Sequence, residues 1–557
     1  MSDYSAITQG DTGQIPQHYL NADARGGVSG GKESYTVAEA GNQIIRGEAG
    51  WGGVLGAPTT VTYGFRANAP ANMPEDTTGF SRFNAAQIAQ AEMATTAWSD
   101  VANITFIRVG SGTSGEGAYS DSATILFSNY SAGQDTAVAF GFYPGSRAAA
   151  SQSGDVWINI SSPTNNNLAM GGYGAMVLLH ELGHAIGLGH PSDYDSEDDP
   201  SYAADASYYE DSRQYTVMSY FSESNTGASF GGRYAASPLL DDISAAQQEY
   251  GANMNTRTGD TVYGFNSNAG RPWFEITSTA ASSRPIFAVW DAGGNDTFDF
   301  SGYSNAQVID LRQGFFSNVG GLTGNVAVAV GAVIENAIGG SGADAITGND
   351  ANNALTGAGG ADVIYGGAGN DTLSGGDGQD FLRGEDGDDS MVGGAGFDDM
   401  HGNKGQDTLF GGEGNDWVVG GQGIDLLYGE AGDDLIYGNM ANDTLYGGAG
   451  ADIIRGGQDD DVMLGEDGDD WMSGDRGADT MWGGAGADSF YAFGDSGIDR
   501  VMDFVRAQGD RVLVGEGATY SYAQVGDDVV VSLSGGAQMI LVGVNLASLT
   551  DGWIVTV

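Results

Sequence analysis

Between Phe83 and Ala102 apolar side chains return every three or four positions, in FNAAQIAQAEMATTAWSDVA, and this spacing predicts an amphipathic helix. The runs ITFIRV, ATILFSN, TAVAFGF and DVWINI alternate or stay apolar and predict strands. YGAMVLLHELGHAIG then returns to helical spacing and predicts a helix ending at Gly187. Strands before and around such a helix predict a mixed α/β domain. From about Gly259 the helical period fades, and PIFAVW, TFDF and AQVIDL predict short strands. DRVLVG, DVVVSL and AQMILVGV near the C-terminus predict further strands, a β cap on the array described next.

The strongest period lies between these strand regions. From Gly339 to Tyr491 the chain reads without a break as seventeen frames of nine residues, 153 in all. The eighth position is Ile, Leu, Met, Val or Phe in every frame. The sixth is aspartate in sixteen: Asp344, Asp362, Asp371, Asp380, Asp389, Asp398, Asp407, Asp416, Asp425, Asp434, Asp443, Asp452, Asp461, Asp470, Asp479 and Asp488, with Asn353 the exception. This is the GGxGxDxUx nonapeptide of calcium-binding parallel β-rolls. Each repeat is expected to form a short strand with its eighth residue inward, followed by a glycine-rich turn. A disordered linker needs neither the phase nor the apolar eighth position. The aspartates and turn carbonyls are the hard oxygen ligands that Ca²⁺ takes. With two repeats per coil the roll should be roughly 40 Å long.

Composition changes the picture in two ways. The 73 acidic against 20 basic side chains leave a net charge of −53, which disfavours nucleic acid and anionic membranes and favours bound cations. With no cysteine, disulfides and thiolate metal sites are excluded. Residues 1–30 are polar and glycine-rich and read as a tail or propeptide. The opening residues show no basic segment followed by an apolar run, so no secretory signal peptide is expected there. The longest apolar stretch, NVAVAVGAVI, falls short of a membrane span.

Three of the five histidines fall within HELGHAIGLGH, residues 180–190. On a helix His180 and His184 face the same side one turn apart. Gly187 lets the chain turn back so that His190 supplies a third ligand. That donor set suits a zinc ion with an open position, with Glu181 within reach of a water there. The string is the metzincin signature, which calls for a methionine turn downstream. YTVMSYFSES provides Met218, expected to pack beneath the metal, and Tyr220 follows in the form MSY.

The chain resembles the serralysins, secreted bacterial zinc endopeptidases. The resemblance runs through GKESYTVAEAGNQIIR, HELGHAIGLGHPSDY, EDSRQYTVMSYFSES, WDAGGNDTFDFSGY and GAVIENAIGGSGAD. It implies that His180, His184 and His190 bind one catalytic zinc and that Glu181 is the general base. Tyr220 would be a displaceable zinc ligand that later stabilises the oxyanion. It further implies several structural calcium ions, an N-terminal propeptide removed after export, and a type I (ABC-transporter) exporter reading a C-terminal signal. Protein and peptide substrates, an extracellular location and a monomeric chain are expected.

The fold class that follows is α+β. It comprises a tail or propeptide (1–30), a metzincin catalytic domain (31–255), a β-rich connection (256–338), the calcium-binding roll (339–491) and a β cap carrying the export signal (492–557). A repeat-bearing lipase is the first rival. Its nucleophile elbow finds only GVSGG and GASFG, neither between a strand and a helix, and only His18 and His401 remain for a triad. The second is a non-enzymatic calcium-dependent surface or adhesion protein. It accounts for the long array but leaves Glu181 and Tyr220 without a role.

Overall fold

The computed structural model describes residues 19–46, 50–133, 137–145, 153–194 and 199–557. The chain forms two compact units. The first holds residues up to 261 with 267–294 and 313–333; the second holds 262–266, 295–312 and 334–557. The expected connecting segment is thus divided between both. Of the expected tail, residues 1–18 lie outside the described residues. Tyr19 and Arg25 are buried.

In the first unit a five-stranded sheet is built from β1 (Thr59–Phe65), β2 (Ile104–Arg108), β3 (Ile125–Tyr130), β4 (Ala139–Gly141) and β5 (Val156–Asn159), in the order β2-β1-β3-β5-β4. All neighbours are parallel except β4, which pairs antiparallel with β5, Gly141 opposite Val156, and forms an edge. Its longer helices among the described residues are α1 (Val37–Ile45), α2 (Ala85–Val101), α3 (Tyr173–Ala185) and α4 (Leu240–Tyr250), beside the single turn Tyr202–Asp205. Thr36 with Glu39, and Asn84 with Gln87, close capping boxes that start α1 and α2 by satisfying orphan N–H groups. The expected amphipathic helix is α2. Its Ile88, Ala91, Ala94, Trp98 and Val101 are buried, and Trp98 Nε1 donates to the Leu179 carbonyl of α3 at 3.1 Å.

Every residue of α3 beyond Tyr173 is buried, so packing on all sides rather than one apolar stripe holds it. Its last carbonyls are also claimed. Trp51 Nε1 donates to Ala185 O at 2.7 Å, and the Tyr250 hydroxyl donates to Ile186 O. Among the described residues no helix is long and apolar enough to cross a membrane.

The second unit is a parallel β-roll. Strands pair with those eighteen residues on, Ile364 beside Leu382 and Leu373 beside Met391, so two frames make one coil. One ladder continues past the repeats into Thr297–Asp299 and Val262–Gly264 at one end and through Ile498–Val501 to a hairpin of Asp528–Leu533 and Tyr520–Val525 at the other, 15 strands in all. The second runs from Val308–Asp310 to Arg511–Val514 and Ile554–Thr556, 12 strands. The eighth residues, from Ile346 to Phe490, form the buried core.

One detail departs from the expected strand-then-turn repeat. Strands such as Val363–Ala368 run six residues from position seven into position three of the next frame, so the first two glycines belong to the ladder. From Ala358 onward position two is left-handed, as at Gly412 (φ 116°), where a Cβ would stand 2.1 Å from the Gly394 carbonyl of the coil before. Only the residues at positions four to six are left to turn.

The sixth-position aspartates form a second ladder. Asp362 Oδ1 accepts the N–H of Asp344 at 2.7 Å, Asp380 that of Asp362 at 2.8 Å, and the pattern continues to Asp488. From Asp362 to Asp488 each second oxygen, Oδ2, is buried and meets no hydrogen-bond donor. Asn353 instead donates its amide to the Glu335 carbonyl at 2.9 Å.

Burial raises these carboxyls from the ordinary 3.8, Asp371 to about 6, Asp362 to about 7 and Asp461 to about 8. Between the ordinary and raised values the folded roll binds more protons than the unfolded chain, so its stability falls as pH rises through that window. With a divalent-cation chelator present, the β signal in circular dichroism should therefore strengthen as pH is lowered from about 8 toward 5. A signal that weakens over that range contradicts the ladder.

Candidate active site and metal centre

His180 and His184 project from the same side of α3, and His190 returns on the chain that turns at Gly187 (φ 112°). Each imidazole is oriented through Nδ1 by a backbone carbonyl: His180 by Val217 at 2.8 Å, His184 by Leu188 at 2.7 Å and His190 by Tyr194 at 2.9 Å. A carbonyl only accepts, so each Nδ1 is the donor and each Nε2 keeps its lone pair. Burial lowers all three pKa values to about 3, which keeps the rings neutral. The three ligand atoms lie within 4.8 Å of one another, with His184 and His190 Nε2 only 3.1 Å apart. Three inward lone pairs repel one another unless a cation takes them. The donor set therefore fits a zinc ion.

Glu181 and Tyr220 meet the same cleft of about 560 Å³, with His184 and His190 on its wall and the edge strand β4 along its side. Glu181 Oε2 is buried with no hydrogen-bond partner. Burial raises its carboxyl to about 8 against a lowering contribution from the Gly141 backbone. The Tyr220 ring lies 4.5 Å from that of His190 and 5.8 Å from that of His180. Met218 is fully buried directly under α3. A Cβ on Gly183 would stand 2.5 Å from its sulfur and 3.3 Å from Trp98, so glycine lets the turn approach the helix.

Comparison with known proteins agrees with this geometry. The model for the metallopeptidase family M12 matches residues 60–229, and that for the M10 serralysin C terminus matches residues 252–519. Serralysin G of Dickeya chrysanthemi is 48% identical over 362 residues, covering 63% of this chain and 73% of that protein. The chain belongs to the serralysin family of zinc metalloendopeptidases. Metallopeptidase AprA of Pseudomonas marginalis is 47% identical over 58% of this chain and 68% of its own length. The solved extracellular lipase LipA from Serratia marcescens is 18% identical over 35% of this chain and 44% of that one at a TM-score of 0.14, which carries no structural argument.

Two residues that the motif does not contain hold the family's signature in place. Asp242, on α4, accepts from Thr216 Oγ1 at 2.5 Å, from Val217 N at 2.8 Å and from Leu239 N at 2.9 Å. It thereby holds Val217, the residue whose carbonyl orients His180. Asp211 accepts from Ser192 Oγ at 2.6 Å, Ser219 Oγ at 2.7 Å and the Tyr194 hydroxyl at 2.9 Å. It ties the chain that orients His190 to the methionine turn. In sequence both read as ordinary surface acids. Their one signal is a neighbourhood of Ser, Thr and Tyr.

The Gly183 contact is testable. In Gly183→Ala, overpacking against Met218 and Trp98 should outweigh alanine's helix preference, for a net loss of about 1–2 kcal/mol in denaturant unfolding. A more stable variant would show that the turn does not press on the helix.

Proposed function

We propose that this chain is a secreted endopeptidase that hydrolyses peptide bonds of extracellular proteins, with one zinc ion held by His180, His184 and His190. The observation that carries the reading is the convergence of three Nε2 lone pairs and the unpartnered Glu181 Oε2 on a cleft bordered by an edge strand. A bound zinc supplies Lewis-acid polarisation of the scissile carbonyl and makes water acidic enough to attack near neutral pH.

The chain's own residues do the rest. The extended substrate pairs with the edge of β4, which sets its carbonyl in the cleft. Glu181 takes the proton from the attacking water and hands it to the leaving amine. The Tyr220 hydroxyl, a displaceable zinc ligand at rest, donates a hydrogen bond to the carbonyl oxygen as negative charge develops. Met218 packs beneath the centre, and Gly187 permits the return to His190.

We assign Ca²⁺ to the roll, between the turns that carry Asp344, Asp362 and their successors to Asp488. The buried Oδ2 atoms support it, because a carboxylate oxygen without a donor calls for a cation. On this reading metal binding is the folding energy of the roll. The chain would leave the cell unfolded through a type I exporter that reads a signal in residues 492–557, fold in calcium-rich medium and lose an N-terminal propeptide. It would act as a monomer.

Glu181→Ala should keep stoichiometric zinc and lose nearly all hydrolysis of a peptide substrate. Substantial remaining activity would remove the general-base assignment.

Tyr220→Phe should lower kcat by about 10²–10³ with little change in KM and no loss of zinc, because its hydrogen bond forms in the transition state. An unchanged kcat would demote Tyr220 to packing. Loss of zinc would make it a structural ligand.

A further inference from the structure

The N-terminal stretch reaches a buried acidic cluster of the catalytic unit. Arg25 is buried, and its two terminal nitrogens donate to the two oxygens of Asp241 at 2.9 and 3.0 Å. Its Nε donates to the Tyr35 carbonyl at 2.7 Å and lies 3.7 Å from Glu210 Oε1. Glu210 in turn accepts from the Ser34 hydroxyl and, at 3.0 Å, from the Tyr35 N–H. The guanidinium lies 5.1 Å from the centre of the Tyr215 ring. The Tyr215 hydroxyl clasps Leu20, accepting from its N–H at 2.9 Å and donating to its carbonyl at 3.0 Å.

The two acids each adjoin an aspartate that holds a residue whose carbonyl orients an imidazole. Asp241 precedes Asp242, which holds Val217 by its N–H and through it His180. Its own N–H donates to the Tyr215 carbonyl at 3.0 Å, at the start of the methionine turn. Glu210 precedes Asp211, which holds Tyr194 and through it His190. A buried ion pair of this kind adds little net stability, because desolvation offsets most of its attraction. Its effect is to fix the geometry of what it joins.

We propose that Arg25 is a positioning residue of the metal centre. Docked between Asp241 and Glu210, it fixes the backbone that aims His180 and His190, so the centre is complete only with residues 19–35 in place. The proposal rests on the reading that the three histidines hold zinc. It follows that any N-terminal processing stops before Tyr19.

The test uses the full chain with Arg25→Met and Arg25→Lys. Asp100→Asn serves for comparison. It breaks another buried ion pair, with Arg257 and Arg271, none of which lines the cleft. Zinc affinity is read by competition with a chromophoric chelator and site geometry by the visible spectrum of the cobalt(II)-loaded protein, below the unfolding temperature of each variant. Arg25→Met should weaken zinc by about 10–100-fold and displace the cobalt bands. Arg25→Lys should recover part of both, and Asp100→Asn should change neither, even where it lowers Tm as much. N-terminal sequencing of the active chain should find a start at or before Tyr19.

Unaltered zinc affinity and cobalt spectrum in folded Arg25→Met overturn the proposal. So does an equal loss in Asp100→Asn, or full activity in a chain beginning after Arg25. If Arg25→Met does not fold, Tyr215→Phe carries the same test, since it releases Leu20 without stranding a charge, and no change there is equally decisive. If the unaltered chain binds no zinc, the zinc reading itself fails, and this proposal with it.

Discussion

A neutral imidazole has one donor and one acceptor, and at this centre the donor is settled by the backbone. The carbonyls of Val217, Leu188 and Tyr194 take the Nδ1 protons of His180, His184 and His190, which leaves three Nε2 lone pairs aimed at one another. Much of the catalytic unit serves to place those carbonyls. Leu188 arrives through the left-handed turn at Gly187, Val217 is held by Asp242, and Tyr194 is held by Asp211. Shifting one carbonyl rotates one ring, and the lone pairs cease to share a point.

The roll obeys a similar rule with carboxylates in place of imidazoles. From Asp362 to Asp488 one oxygen of each repeat aspartate satisfies a backbone N–H of the preceding coil, which fixes the side chain, and the other is left buried without a donor. The coil spacing repeats that arrangement every eighteen residues in each ladder. A large part of the −53 net charge is thereby confined to a regular array rather than spread over a surface. In the catalytic unit one centre is assembled from distant segments, whereas in the roll each local frame repeats a site. That difference sets how far each can be read from sequence.

The frames were legible from Gly339 to Tyr491 because phase, glycine and aspartate recur within nine residues. The motif was legible because His180 and His184 share a helix face and Gly187, His190, Met218 and Tyr220 follow at fixed intervals. Several regular elements were not. TTVTYGF forms β1 although no alternation was singled out there, and α1 and α4 were not singled out either, although Thr36 and Glu39 stand at the capping-box spacing that starts α1. The six-residue strands of the roll were also hidden, because glycines read as turn while the coil before them supplies their partners.

The sequence by itself determined the chemistry available: which residues could hold a metal, which could move a proton, and which repeat could stack. Only the tertiary structure decided what aims them. Asp211, Asp242 and Arg25 look like solvent-facing charges in the linear chain, and Arg25 meets Asp241 across 216 residues. A local motif specifies its own geometry through helix or turn periodicity. A buried charge is specified by whichever distant group pairs with it, and that choice is made only when the core closes.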